Sequence, residues 1–290
     1  MNNQNSNRYR VAFQGELGAY SEGAIRLFFG SAADPVACRD FASVGSAVVS
    51  SEVDFGLLPV ENSLAGSVVG SYDVLGSRDL VAVGEVVSPI HHLVLGVPGA
   101  KLETVERIIS HPVALAQCTR FLEEHSRAAA VSFYDTAGAA REIAEQKDPA
   151  VAAIAGQPAA DRYGLEVLAD HVEDRSDNQT RFLVVARPDR SDTPRAHQDL
   201  PTAWKTTLLL ETSNSPGALV NVLLPFADRA INLLKLESRP GEKPWTYRFF
   251  VDLEGAADDE TLRDALSTVE ENTERLRVVG SYPRWDGPGG

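Results

Sequence analysis

The segment Asn178-Gln179-Thr180-Arg181-Phe182 sets a hydroxyl beside a guanidinium just ahead of the branched apolar run Leu183-Val184-Val185-Ala186. A threonine hydroxyl can donate a hydrogen bond or pass on a proton, and a planar guanidinium suits a carboxylate. Residues where a loop enters a strand are held rigidly beside clefts, so the pair reads as a proton-handling group next to an anion-holding group. Three further stretches place polar groups beside apolar runs. In Phe13-Gln14-Gly15-Glu16-Leu17-Gly18-Ala19-Tyr20-Ser21, a glycine turn opens onto a helix start, where backbone N–H groups and the helix dipole favour a carboxylate. In Pro59-Val60-Glu61-Asn62-Ser63, a carboxylate and an amide side by side can orient a hydroxyl and fix proton positions. In Ser110-His111-Pro112-Val113-Ala114-Leu115-Ala116-Gln117-Cys118, Ser110 is expected to cap a helix with Pro112 in its first turn. Gln117 then lies roughly two helical turns further on.

The elements that must carry these groups alternate. Short apolar runs near 10–14, 54–59, 80–87, 92–97, 107–110, 129–133, 151–155 and 181–186 read as strands. Segments near 21–29, 43–51, 112–125, 136–146 and 157–163 have helical spacing. This order predicts an α/β architecture with largely parallel sheets. Proline and charge without periodicity mark a linker at 188–203. Beyond it, 204–283 reads as β-α-β-β-α-β, the ferredoxin-like order. The ends, 1–7 and 285–290, are expected to be disordered.

Composition narrows the function classes. At 290 residues the chain can bury about two cores, and 43% hydrophobic against 23% charged residues is ordinary for a folded globular chain. A net charge of −14 repels polyanions, so no nucleic-acid partner is expected. The lack of a long apolar run predicts no membrane span, and the polar start predicts a cytoplasmic address. Cys38 and Cys118 are too far apart to read as a disulfide framework and are expected in the core. His111, placed before a proline, is assigned no chemistry. His91, His92, His125, His171 and His197 show no metal-ligand spacing, so neither metal nor cofactor is expected.

The four polar stretches together resemble the prephenate dehydratase family over nearly the whole chain. Where many members carry a threonine before an Asp-Leu-Leu run, this chain has Ser71-Tyr72-Asp73-Val74-Leu75, which retains a hydroxyl. Behind the linker, Ser215-Pro216-Gly217-Ala218-Leu219 and Glu237-Ser238-Arg239-Pro240 resemble the paired signature of a phenylalanine-binding ACT domain. The resemblance implies a two-lobed catalytic domain like the periplasmic binding proteins at 8–187, with lobe 1 at about 8–90 plus 178–187 and lobe 2 at about 91–177. The strand carrying Thr180 is expected to return to the first lobe. The implied reaction converts prephenate to phenylpyruvate, carbon dioxide and water. Thr180 would be catalytic, with Glu61, Asn62, Ser110 and Gln117 around it and Glu61 a candidate for its proton relay. Phe182 would line an apolar pocket around the departing carboxylate. The remaining carboxylate would be held by Ser21 with the backbone near Ala19 and Tyr20, or by Arg181. Gly217, Ala218 and Leu219 would receive the carboxylate of phenylalanine, and Glu237 and Ser238 its ammonium, between subunits of a homodimer or homotetramer. Arogenate dehydratase and a non-catalytic amino-acid sensor are the alternative readings.

Overall fold

The computed structural model describes residues 8–190, 203–285 and 287. Residues 1–7, 191–202, 286 and 288–290, which hold most of the expected tails and linker, lie outside that description. The first lobe runs β1 (Tyr9–Gln14), α1 (Tyr20–Phe29), β2 (Ala33–Cys38), α2 (Phe41–Val49), β3 (Phe55–Asn62), β4 (Gly66–Ser67), α3 (Val69–Ser77) and β5 (Val81–Pro89). The second runs β6 (Leu93–Gly96), β7 (Arg107–Ser110), α4 (Pro112–Ala116), α5 (Thr119–Glu124), β8 (Ala129–Ser132), α6 (Thr136–Gln146), β9 (Val151–Ala155), α7 (Gln157–Tyr163) and β10 (Glu166–Ala169). The chain then returns through β11 (Gln179–Ala186), which lies between β3 and β5 in the first sheet, ordered β2-β1-β3-β11-β5. The second sheet is ordered β10-β6-β9-β7-β8.

Parallel pairing holds for β1 with β2 and β3, and for β7 with β8 and β9. The returning strand is antiparallel to both neighbours, and β6 is antiparallel to β9 and β10, so the sheets are mixed. Helix starts follow from local chemistry. Asp40 accepts the Ser43 N–H at 2.7 Å at the start of α2, and Asp135 accepts the Gly138 N–H at 2.7 Å at the start of α6, each satisfying a donor the helix leaves open.

The C-terminal unit comprises β12 (Trp204–Glu211), α8 (Ala218–Asp228), β13 (Leu233–Pro240), β14 (Tyr247–Glu254), α9 (Glu260–Glu270) and β15 (Arg275–Pro283), with sheet order β13-β14-β12-β15. It is docked on the first lobe. Leu209, Phe250, Val279 and Tyr282 share one apolar core with Val44, Leu58, Leu75 and Leu183. Trp285, expected in a disordered tail, donates its N–H to Glu85 at 3.0 Å and packs against the core on the other face of the first sheet. Cys118 is buried and Cys38 half-buried, and both are free thiols, with the Cys118 pKa pushed up to about 12 by burial.

Two crossovers join the lobes, residues 90–92 on the way out and 170–178 on the way back. They are bonded to each other: Ile90 N–H donates to the Asn178 carbonyl at 2.9 Å, and Val172 N–H to the His92 carbonyl at 3.0 Å. Such a pair of adjacent crossovers is the natural hinge of a two-lobed protein.

Candidate active site

Register decides which predicted residues meet. Thr180 pairs with Asn62 and Arg181 with Glu61 across the antiparallel β11 and β3. Successive side chains on a strand point to opposite faces, so each pair shares a face and the two pairs are separated by the sheet. Asn62 and Thr180 face the cleft, whereas Glu61 and Arg181 face the C-terminal domain.

On the cleft face, Asn62 Nδ2 reaches Thr180 Oγ1 at 3.0 Å, Asn178 Oδ1 at 2.8 Å and the Gln179 carbonyl at 3.1 Å. The orientation of its amide is fixed by backbone, because Asn62 Oδ1 accepts the N–H groups of Leu64 and Ala65 at 3.0 and 2.8 Å. Everything downstream is then determined. Asn178 Oδ1 accepts from Asn62, so Asn178 Nδ2 donates to Gln117 Oε1 at 3.0 Å. That same oxygen lies 2.9 Å from His92 Nε2, so the nitrogen must carry the proton. His92 Nδ1 is then an acceptor for the Tyr20 hydroxyl at 2.7 Å. Burial lowers the His92 pKa, against the opposing pull of Gln117 and Glu173, in keeping with a neutral ring. Burial likewise raises the Tyr20 phenol, so Tyr20 stays a donor.

The result is one polar chain, Thr180, Asn62, Asn178, Gln117, His92 and Tyr20, that starts and ends on the first lobe and crosses the second. Its first oxygen is already an acceptor. Among the described residues, Thr180 Oγ1 donates to no protein group, which leaves its hydrogen for a ligand in the cleft. A cavity of about 380 Å³ adjoins Gln117, lined by Leu64, Ala65, Val113, Ala116 and the loop Glu173–Arg175. Its apolar wall, with Gln117 and the charged Glu173, Asp174 and Arg175 at one side, suits a carbocyclic ligand bearing a few polar groups.

His92 and Asn178 are therefore members of this network that spacing did not single out, and Tyr20 joins it through its ring hydroxyl. The available signal was Asn178 inside the motif itself and a His-His pair at a strand entrance. Replacing His92 with Phe removes two buried hydrogen bonds, leaving the Tyr20 hydroxyl only the His91 carbonyl at 3.0 Å and Gln117 Oε1 only Asn178 Nδ2. We expect kcat to fall at least about tenfold and stability to drop by about 1–3 kcal/mol, read from steady-state rates and denaturant unfolding.

Other expected site residues sit elsewhere. Ser110 is fully buried at the end of β7 and donates to the Ile154 carbonyl at 2.6 Å, tying β7 to β9, while the helix cap is His111, whose Nδ1 accepts the Val113 N–H at 3.2 Å. Phe182 is 2% exposed and belongs to the core with Phe13 and Phe55, not to a ligand pocket. Glu61 does not reach Thr180; its Oε1 pairs with Lys235 of the C-terminal domain at 2.9 Å. Arg181 is equally committed, to Glu85 at 2.7 Å, Asp252 at 2.5 Å and the Tyr282 hydroxyl at 3.1 Å. Burial alone would disfavour its charge, but Asp252, Tyr282 and Glu85 push its pKa well above the ordinary guanidinium value.

The glycine turn brings the lobes together. A Cβ on Gly18, whose φ is +93°, would meet the Ala159 backbone at 3.1 Å, and Tyr163 donates to the Leu17 carbonyl at 2.6 Å. The Gly18 N–H is taken by Glu22 and that of Ala19 by the Glu16 carbonyl. The first-turn N–H groups of Tyr20 and Ser21 have no acceptor within the helix.

Residues 11–190 match the family model for prephenate dehydratase, and residues 206–271 that for the ACT domain. The chain belongs to the prephenate dehydratase family. It is 40% identical, over 96% of its length and 74% of the relative's, to an arogenate dehydratase/prephenate dehydratase of Arabidopsis thaliana. A prephenate dehydratase from Arthrobacter aurescens, solved in complex with L-Phe, superposes with a TM-score of 0.86 at 33% identity, covering 97% of this chain and 92% of that one. A structure described as a novel type of quorum-quenching acylase gives the same TM-score of 0.86 at 35% identity, covering 96% of this chain and 98% of that one. Family membership makes the chain an enzyme of the dehydratase type with a regulatory ACT domain, in the two-lobed fold described above. No helix among the described residues is long and apolar enough to cross a membrane.

The ACT residues expected to bind phenylalanine divide into two groups. Gly217, at φ +84°, opens α8, and the following Ala218 and Leu219 line a cavity of about 160 Å³ with Ser213, Ser215 and Trp245. Glu237 and Ser238 lie on the edge strand β13, outside that cavity. Glu237 accepts a hydrogen bond from Ser67 of the catalytic domain at 2.5 Å, and Ser238 is exposed.

Proposed function

We propose that this protein dehydrates and decarboxylates prephenate to phenylpyruvate in the cytoplasm, under feedback by phenylalanine bound to its ACT domain. The observation that carries the reading is the Thr180 hydroxyl, whose oxygen is fixed by Asn62 while its hydrogen is left for a ligand. Loss of carbon dioxide and hydroxide from prephenate restores an aromatic ring, so the reaction runs downhill, and its barrier lies in the poor departure of hydroxide. A donor fixed on that oxygen stabilises the charge that develops there. Threonine is a weak acid, so Thr180 serves as a hydrogen-bond donor within the Asn62, Asn178 and Gln117 chain, without help from Glu61.

With Arg181 committed to the ACT domain, Ser21 and the N–H groups of Tyr20 and Ser21 are the residues we assign to the retained carboxylate. Among the described residues, no hydrogen bond occupies the Ser21 hydroxyl. Ser21→Ala should raise KM severalfold and change kcat by less than about twofold, the mark of an interaction made equally in ground and transition states. A KM unchanged from wild type would remove Ser21 from the site.

Side-by-side assays settle the substrate: phenylpyruvate formed from prephenate and phenylalanine formed from arogenate, with binding but no turnover of either pointing to a sensor. We expect turnover of prephenate.

For regulation, we place the phenylalanine carboxylate at the start of α8 and the ammonium at Glu237 and Ser238 of a second copy, so a homodimer or homotetramer is required. Lys235 bonds Ser67 and Glu61, one residue from Asn62. Lys235→Met should leave the uninhibited kcat within about threefold and shift half-inhibition by phenylalanine to at least about fivefold higher concentration, in the range of ordinary allosteric coupling.

A further inference from the structure

The hinge carries a cluster that the reaction does not use. His91 Nδ1 lies 3.0 Å from Glu173 Oε1, and His171 Nδ1 lies 3.2 Å from the same oxygen, with all three donor atoms within 4.8 Å of one another. His91 comes from the outgoing crossover, His171 and Glu173 from the returning one. Donor atoms around a tetrahedral zinc with bonds of about 2.0–2.1 Å are about 3.3 Å apart, so two edges of the triangle already have that length.

The surroundings are arranged as metal ligands require. Glu173 is 8% exposed, so its carboxylate is held inside the hinge with both rings against it. Its second oxygen accepts the His92 N–H at 2.9 Å, which fixes the carboxylate and leaves Oε1 aimed at the two rings. His171 has a left-handed backbone, φ +50°, a conformation uncommon outside glycine that turns its ring toward Glu173. Its far nitrogen, Nε2, faces the Asp170 carboxylate at 3.8 Å, beyond hydrogen-bond distance. Both imidazoles are partly exposed, which gives an ion a path in and a fourth position for water.

We propose that His91, His171 and Glu173 bind one divalent transition-metal ion, zinc by preference, as a staple across the hinge between the lobes. Two imidazoles and a carboxylate are a donor set that zinc accepts with one position open. The ion replaces the two ring contacts to Oε1 with bonds to metal. Because Glu173 also holds His92, it ties the polar chain of the active site to the two crossovers.

The test uses the full chain without a polyhistidine tag, stripped by chelator and titrated with zinc in a calorimeter. Cobalt(II) is the spectroscopic probe. We expect one ion per chain, the visible absorption of four-coordinate cobalt, and a zinc-dependent rise in the thermal midpoint. His171→Ala, a change at an exposed ring, should weaken binding at least about tenfold and abolish the midpoint shift. His125→Ala, at a remote ring stacked on Phe121, should change neither. Absence of zinc binding to the wild type, or binding that His171→Ala leaves intact, overturns the proposal.

Discussion

Thr180→Val should lower kcat by about 10²–10³-fold, the loss typical when one preorganised donor to a developing oxyanion is removed, with folding stability changed by less than about 1 kcal/mol. Valine keeps the shape of threonine and its preference for strand. The hydroxyl is the only group removed, and its one protein contact is as acceptor from Asn62 Nδ2, which keeps Asn178 Oδ1 and the Gln179 carbonyl as alternatives. The stability cost is therefore small and the rate cost large. Thr180→Ser should recover part of the rate, because the hydroxyl returns without the methyl that fixes its rotamer. Stopped assays of phenylpyruvate, paired with denaturant unfolding, separate the two effects. A Thr180→Val enzyme with more than a third of wild-type kcat would mean that the hydroxyl does not face the leaving oxygen. Asn62→Ala tests the same point from behind: it frees the Leu64 and Ala65 N–H groups as well as Thr180, so both rate and stability should fall.

Much of the fold was legible because its signals are local. Apolar runs with turn residues between them gave most of the strands, and the proline-rich break separated the C-terminal β-α-β-β-α-β unit. The misses were also physical. β2, Ala-Asp-Pro-Val-Ala-Cys, carries a proline and a charge and sits at the sheet edge, where neither breaks a ladder. β3 was read as ending at Pro59 but runs to Asn62, because its partner β11 begins at Gln179.

Those three extra residues reassigned the site. In a loop, Glu61 and Asn62 would point together, and so would Thr180 and Arg181. In paired strands they alternate, and one residue of each pair goes to the ACT domain. Ser110 shows the same limit from another direction, since a serine before a proline-started helix reads as a cap, yet a strand ending at Ser110 buries it under Ile154. The chain from Gln117 through His92 to Tyr20 joins residues 25 and 72 positions apart, and no spacing rule encodes it. His91 and Glu173, 82 positions apart, are a further case.

Arg181→Met should destabilise the protein by about 3–5 kcal/mol, the cost of breaking a buried ion pair from one side, and should uncouple catalysis from phenylalanine. The guanidinium closes a ring of hydrogen bonds between the domains. It donates to Asp252 and to the Tyr282 hydroxyl, Tyr282 donates to Thr207 at 2.7 Å, and Thr207 donates to the other Asp252 oxygen at 2.6 Å. Its Nε donates to Glu85, which Lys205 also holds at 2.8 Å. The four charged side chains are at most 12% exposed. Two cations and two carboxylates balance, so the cluster is neutral while Arg181 is present. Without it, Glu85 keeps Lys205 and the Trp285 N–H, whereas Asp252 keeps only Thr207 and becomes a buried charge without a counter-ion. Asp252→Asn in the Arg181→Met background should therefore recover part of the loss, an interaction that a double-mutant cycle measures directly. The functional consequence follows from adjacency. Arg181 is bonded to Thr180 along the chain, and the ring ties β11 to the ACT sheet, so a movement of that sheet reaches the Thr180 hydroxyl through one peptide unit. Wild-type stability in Arg181→Met, or phenylalanine inhibition undiminished in a folded variant, would show that the domains communicate elsewhere, with the Lys235–Glu61, Glu237–Ser67 and Arg239–Asp73 contacts among the other bridges.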